Sequence, residues 1–465
     1  MQVERASHRG VRLHNRSALL TRLFLEGPLT RQDLSRRTGL SQPAVSNVVN
    51  DLIDDGLVDE AGALESEGGR PSTMLRVAPS YGAVAGVDVG ETRIRVELFD
   101  LGRRRLAEAD LPLEPGASPP AVADRILTGL RAVATGHHVL GAGIGVAGIV
   151  QDSPDGALVH AQTLGWEAVP LESLLRQGTD IPLHLDNGAK TLGQAEMWFG
   201  AGRGRRHAVF ALVGSGVGAA VVTNGATYRG TSSSAGEWGH TTLIYNGRPC
   251  RCGASGCLEA YVGAAAILDR YDCRRLGDVQ PSDGGSGDVR LDDGGLGGGG
   301  LGGGGLGDVR LGGGGLGDVR LGDGGLGGGG LGDGGLGGGG LGDGRSGECW
   351  HGDEEARLAA LVAAAAAGEP AARAVLDETA DYLGAGVADL INLFNPELVV
   401  LGGWAGVALA GLLPRVRASA ARHALRQPFA QARIEPGRLG LDAVALGAAT
   451  LPIARLLTNG GRPTP

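Results

Sequence analysis

Aromatic side chains are scarce in this 465-residue chain, at 4% of positions, so a core has to be built from Ala, Val and Leu. Cysteine is scarce as well. The five cysteines are an odd number, and Cys250, Cys252 and Cys257 lie within eight positions. That clustering does not suit a disulfide framework and points to metal binding in a reducing compartment. The start, MQVERASHRG, has no apolar run of the signal-peptide kind, and no uninterrupted apolar stretch approaches the ~20 residues of a membrane span. The expected setting is the cytoplasm, with no membrane partner. Positive charge is also in short supply overall. A net charge of −9 excludes a surface coated for nucleic acid but not a local basic module, and in the first fifty residues arginine outnumbers acid.

The length calls for two or three domains, and four blocks stand out. Residues 1–80 are helical with a short β finish. Residues 81–275 alternate strand-like runs (AVAGVDVG, IRVELFD, VLGAGIGVAGIV, HAVFALVGSGVGAAVV) with helical ones, an α/β signature. Residues 348–465 are Ala-rich and helical, interrupted by the strand-like ELVVLGG. Between them, 276–347 repeats a pentad of the form L-G-x-x-x. One Leu per pentad cannot bury enough surface to offset the backbone entropy of so much glycine, which argues against a solenoid. The repeat reads as a disordered insertion in a surface loop, where length costs little. The segments on either side then form one α/β domain.

In the first block, SALLTRLFLEG carries apolar residues at helical spacing. Thr30 with Asp33 three positions on approximates a capping box for TRQDLSRRTG. Leu34 faces inward, small Ser35 lets a second helix approach, and Gly39 sits where a helix-turn-helix needs a left-handed backbone. Ser41 caps the second helix, with Pro43 in its first turn. The outward side chains Gln42, Ser46, Asn47 and Asn50 suit base edges and phosphates in a major groove. LVDEAGA and STMLRVAP read as wing strands around GGRPS, with Arg70 placed for a minor groove or phosphate. Together with Arg31 and Ser41, these residues predict a winged helix-turn-helix on double-stranded operator DNA, acting as a dimer on two half-sites.

Two glycine-containing turns between strand pairs are candidate phosphate cradles: Asp88, Gly90 and Thr92 in one, Gly214, Ser215 and Gly216 in the other. The sharpest local pattern is AGEWGH followed by CRCGASGCLE. His240 with Cys250, Cys252 and Cys257 supplies one imidazole and three thiolates, a closed set suited to structural zinc. Glu237 and Glu259 flank it, and carboxylates are natural acceptors for paired sugar hydroxyls. The zinc would therefore stiffen a sugar pocket, with His240 serving both metal and hydroxyl. Cys273 and Cys349 border the repeat and are read as incidental.

These stretches, with DVGETR, GIGVAGIV, LDNGAK, LVGSGVGAA and INLFNPELVVLGG, resemble the ROK family (repressor, open reading frame, kinase) over nearly the whole chain outside 276–347. The resemblance implies a two-lobed, actin-like sugar-kinase fold. Family members with a winged helix include xylose and N-acetylglucosamine repressors; those without one are sugar kinases. In the kinases an Asn-Asp-Ala-Asn motif supplies the base for the attacking hydroxyl. Here the motif's first Asn falls on Asn187, its Asp on Gly188 and its second Asn on Lys190, a register fixed by Glu196 eight residues beyond Gly188. Glycine cannot take a proton, so loss of phosphoryl transfer is expected. Glu91 also stands where the first phosphate loop has glycine, and Thr163 where the family has Asn. The resemblance leaves Asn187, Glu237, His240 and Glu259 as a sugar-binding set beside vestigial phosphate loops. It implies a homodimer or homotetramer whose effector is a sugar or sugar phosphate. The alternative is an active sugar kinase that also binds DNA.

Overall fold

The computed structural model of the chain describes residues 8–64, 72–114, 116–276 and 354–462. Arg70 and all but the first residue of the 276–347 repeat lie outside the described residues.

The N-terminal elements are α1 (His8–Glu26), β1 (Leu29–Thr30), α2 (Arg31–Thr38), α3 (Gln42–Asp54), β2 (Val58–Leu64) and β3 (Ser72–Val77). The expected capping box is present. The Thr30 hydroxyl accepts from the Asp33 amide, and the Asp33 carboxylate accepts from the Thr30 amide, both at 3.1 Å. Gly39 closes α2 at φ 74°, and Ser41 accepts from the Ala44 amide at 3.4 Å to start α3. Leu34, Val45, Val49 and Leu52 are buried between the helices. The strands pair antiparallel in the order β1-β3-β2, completing a winged helix-turn-helix.

Two five-stranded sheets follow, and they share one topology. The first uses β4 (Ala83–Val89), β5 (Arg93–Asp100), β6 (Arg105–Pro112), β7 (Val139–Val146) and, after the three-stranded β8 (Ile149–Gln151), β9 (Leu158–Ala161) and β10 (Trp166–Val169) sheet, β11 (Leu183–Asn187). Its order is β6-β5-β4-β7-β11, antiparallel across β6, β5 and β4 and parallel thereafter. The second uses β12 (Ala208–Val213), β13 (Val217–Thr223), β14 (Ala226–Thr227), β15 (Leu398–Gly402) and β16 (Arg433–Pro436) in the order β14-β13-β12-β15-β16. Antiparallel pairing again gives way to parallel. This duplicated hairpin-plus-crossover arrangement is the two-lobed, actin-like sugar-kinase fold.

In the first lobe, α4 (Pro119–Ala134) packs on its sheet and α5 (Leu171–Arg176) packs against α4, and α6 (Gly188–Phe199) follows β11. In the second lobe, α7 (Glu259–Val262), α8 (Ala264–Leu276), α9 (Glu354–Ala366) and α10 (Pro370–Phe394) precede β15. They are followed by α11 (Gly403–Ala408), α12 (Leu413–His423), α13 (Arg426–Gln431) and α14 (Ala443–Thr458).

Helices α6 and α14 cross between the lobes. α6 packs on β12 and β13 of the second sheet, whereas α14 packs on β4 and β7 of the first. That packing requires glycine on the strands, since a Cβ on Gly86 would meet the Ala445 carbonyl oxygen at 1.9 Å and one on Gly143 the Ala448 carbonyl oxygen at 1.7 Å. Among the described residues, the one helical stretch long and apolar enough to cross a membrane is Gly440–Thr458, with mean hydropathy 1.4. Of it, 61% is buried here, against the sheet.

The winged module is not hung on a bare linker. Leu19, Leu20, Leu23 and Phe24 of α1 share one hydrophobic cluster with Val84 and Phe99 of the first sheet and Ile453, Leu456 and Leu457 of α14. Arg16, itself buried, donates to the Gly460 carbonyl at 2.7 Å and pairs with Asp55 at 2.6 Å. Phe24 meets Trp198 and Phe199 at the end of α6 edge to face, with centroids 5.9 and 6.0 Å apart.

Candidate functional site

Because β4–β5 and β12–β13 are tight hairpins in matching places, their turns face each other across the interlobe cleft. A cavity of about 560 Å³ lies there. Its wall takes in Asp88, Gly90 and Thr92 from the first turn, and Gly214, Ser215 and Gly216 from the second. Asn187, Glu237, His240 and Glu259 complete the set named from the sequence.

Asn187 is the N-cap of α6. Its Oδ1 accepts from the Ala189 and Lys190 amides at 2.9 and 3.2 Å, and its Nδ2 donates to the Gly148 carbonyl at 2.7 Å. Gly188 is therefore the first helical residue, and its Cα faces the cavity without a side chain. A Cβ there would make only ordinary contacts, 3.6 Å to the Val146 oxygen and 3.7 Å to Val444. Asp186, the carboxylate two positions before Gly188, is engaged elsewhere. It is buried and forms a two-pronged ion pair with Arg229, with Nη1 to Oδ1 at 3.0 Å. Lys190, the chain's single lysine, is also buried and donates to the Ser233 carbonyl. Glu196 keeps the helix in register by accepting from the Arg438 amide at 2.7 Å and the Ala201 amide at 2.7 Å.

The two flanking carboxylates differ. Burial raises the Glu237 pKa above its ordinary value, partly offset by the neighbouring His240 and Lys190. Glu259 already accepts from the Val217 amide at 2.9 Å and from Arg251 at 3.4 Å. Burial pushes Asp88 up to about 6 and raises Glu91 as well, against the pull of Arg251.

His240, Cys250, Cys252 and Cys257 converge, with their ligand atoms all within 4.8 Å of one another. Cys252 Sγ lies 3.7 Å from Cys257 Sγ, and His240 Nδ1 lies 3.7 Å from Cys250 Sγ. Bonds of ~2.3 Å to a tetrahedral centre give edges of about that length, so the donor set fits such an ion. Burial and the neighbouring thiols push Cys257 up to about 12. A cation would reverse that order by stabilising thiolate.

Sequence reasoning missed several residues in and beside the cavity. Arg251, inside the Cys-x-Cys pair, donates to Glu91 at 2.7 Å and to the Ser215 carbonyl at 2.9 Å. Glu354 accepts from the Ser215 hydroxyl at 2.6 Å, and Trp404 closes the wall beside Gly214. Only the position of Arg251 between two of the clustered cysteines could have drawn attention to it. Glu354 lies across the repeat, and Trp404 follows a strand with no motif of its own.

On the winged module, Ser41, Gln42, Asn47 and Asn50 are exposed along α3. Ser46 and Arg31 are half-buried, and Arg31 donates to Asn50 Oδ1 at 3.2 Å.

The fold and site define a winged helix-turn-helix joined to a sugar-kinase-like domain. The ROK family profile matches residues 84–283 and 344–455, and a MarR family profile matches residues 19–66. The chain belongs to the ROK family. It is 26% identical to a xylose repressor of Caldicellulosiruptor bescii over 436 residues, 92% of this chain and 93% of that one. Among solved structures it is similar to a ROK-family transcriptional regulator described as a homologue of the Escherichia coli Mlc protein. That likeness has a TM-score of 0.68 and 21% identity, and covers 97% of this chain and 98% of that one. A ROK glucokinase from Streptomyces griseus, solved with glucose and AMPPNP, shares the fold at TM-score 0.58 and 24% identity, covering 80% of this chain and 99% of that one.

Proposed function

We propose that the protein is a sugar-responsive, DNA-binding transcription regulator, a repressor of carbohydrate-use genes. Its ROK domain holds a sugar without phosphorylating it. The observation that carries this reading is the shared core. The recognition helix α3, with its exposed polar face, belongs to a module that packs directly on α6 and α14, and α6 begins at the cavity wall. Residues 1–80 form the DNA-binding module, and 81–275 with 348–465 form the sugar domain. Gln42, Ser46, Asn47 and Asn50 read the operator, aided by Arg31, Ser41 and Arg70. Asn187, Glu237, His240 and Glu259 hold the sugar. A structural zinc on His240, Cys250, Cys252 and Cys257 keeps Glu259 and Arg251 in place. The protein works in the cytoplasm as a homodimer or homotetramer.

Catalysis fails for want of a base. Gly188 stands where the proton acceptor would be, and Asp186 is tied to Arg229. Sugar binding closes the lobes, shifts α6 against α14, and favours the arrangement with lower operator affinity.

Fluorescence anisotropy on labelled upstream DNA, titrated with xylose, glucose and their short oligomers, tests the reading. At least one sugar should weaken the complex about tenfold, about 1.4 kcal/mol of coupling. No shift with any sugar would sink the sensor claim. A coupled ATP assay should stay at background for the wild type and for Gly188→Asp alone, because Glu91 remains. The double change Gly188→Asp with Glu91→Gly should raise turnover above it. Clear wild-type turnover would mean an active kinase.

A further inference from the structure

The two hairpin turns have the sequence of phosphate cradles, but here those turns are already engaged. Arg251 crosses from the metal-binding loop to Glu91 on the first turn at 2.7 Å and to the Ser215 carbonyl on the second at 2.9 Å. Glu354 takes the Ser215 hydroxyl at 2.6 Å. The Glu91 carboxylate thus supplies the negative charge that a phosphate would bring. Its other oxygen, Oε1, is buried with no partner among the described residues.

The charge of the cavity points the same way. Asp88, Glu91, Glu237, Glu259, Glu354 and Glu355 all stand on its wall. The two guanidiniums there are already matched, Arg93 with Glu355 at 2.8 Å and Arg95 with Asp110 at 3.2 Å. A further anion would meet uncompensated like charge in a partly desolvated space. Neutral hydroxyls, in contrast, are good donors to such carboxylates.

Size adds an independent argument. A single pyranose has about twelve heavy atoms, each taking no more than the ~30 Å³ of a liquid water. It would leave a third or more of the 560 Å³ cavity unfilled. Beside the second turn Trp404 stands half-buried on the cavity wall, with the Nε1 edge of its indole toward Gly214. An aromatic face with one polar edge is a good platform for the apolar face of a second sugar ring.

Resting on the sugar-sensor reading above, we propose that the effector is a neutral oligosaccharide of at least two rings. One ring sits among Asn187, Glu237 and His240, and the next extends into the former phosphate end of the cleft over Trp404. Sugar phosphates and nucleotides are excluded there by Glu91. Glu91 with Arg251 is the specificity-determining pair.

Calorimetry on the full-length protein tests this with xylose, xylobiose and xylotriose; glucose, cellobiose and maltose; glucose 6-phosphate; and ADP. A disaccharide should bind at least about tenfold tighter than its own monosaccharide, while glucose 6-phosphate and ADP give no heat. Trp404→Ala should cost the disaccharide about tenfold more than it costs the monosaccharide, with partial recovery in Trp404→Phe. Glu91→Gly should free Arg251 and gain binding to ADP. The proposal is overturned if glucose 6-phosphate or ADP is the tightest ligand of the wild type. It is equally overturned if no disaccharide exceeds its monosaccharide. In that second case, monosaccharides that still weaken the operator complex leave the sensor reading standing. Absence of any sugar effect on the operator complex removes both.

Discussion

Glu97 lies in the middle of β5 with no solvent exposure. One carboxylate oxygen accepts from Arg105 at 2.8 Å, and the other, Oε2, has no partner among the described residues. Burial pushes its pKa up to about 7 from an ordinary 4.5. The folded protein therefore holds this proton more tightly than the unfolded chain. That contribution favours folding most at low pH and is lost as pH rises from about 4.5 through about 7. A shift of this size corresponds to a loss of about 3 kcal/mol at pH 8. Glu97→Gln stays neutral throughout, so its melting temperature relative to wild type should rise by roughly 3 °C or more between pH 5 and pH 8. A pH-independent difference in thermal melts would count against the assignment. None of this was legible in IRVELFD, where Glu97 looks like an ordinary polar position. The register that sets Gly188 at the motif's Asp was argued from Glu196, and the structure puts Gly188 on the cavity wall as the first residue of α6. The locking of Asp186 by Arg229 was not legible, since the two are 43 positions apart.

Among elements, the helix-turn-helix was readable almost residue by residue, because caps and turns are local physics: Thr30, Asp33, Gly39 and Ser41 each satisfy neighbouring backbone. The long strands of both sheets were readable from their apolar runs. The short ones, such as β8 to β10 and β16, were not, because three or four residues carry too little pattern and form only where a partner strand exists. The metal loop lies between these cases. Its ligands were named from spacing, but the work of Arg251 depends on which way the loop folds. Removing the ion tests that loop as a unit. Purified protein should contain about one zinc per chain. Cys252→Ser or prolonged chelation should lower the melting temperature by several degrees and weaken sugar binding more than operator binding. Equal loss of both, or no zinc in the protein, would argue against a local brace.

At the scale of the whole molecule, the winged module and the sugar domain meet through side chains that no motif predicted. Phe24 touches Trp198 and Phe199 at one end of α6, and Asn187 caps the other end. A two-state shift of α6 would be felt at α1 through these rings. Phe24→Ala should leave sugar affinity within about threefold of wild type while reducing the sugar-induced change in operator affinity to under about threefold. Anisotropy and calorimetry on the same preparation decide it. Full coupling in the variant would move the connection elsewhere along the shared core.

The seam between Arg16 and Gly460 joins positions 444 residues apart, and beside it Leu20 and Leu57 lie against Gly461. A ribosome making this chain releases α1 first, yet the side of α1 that meets Gly460 and Gly461 stays uncovered until some four hundred further residues have been added. Domains that fold as they emerge usually finish in order; this one must wait. A chain cut short within the sugar domain would leave Leu20 and Leu57 without the cover that Gly461 gives them. Docking of the winged module on the sugar domain is thus completed only after α14 has been made.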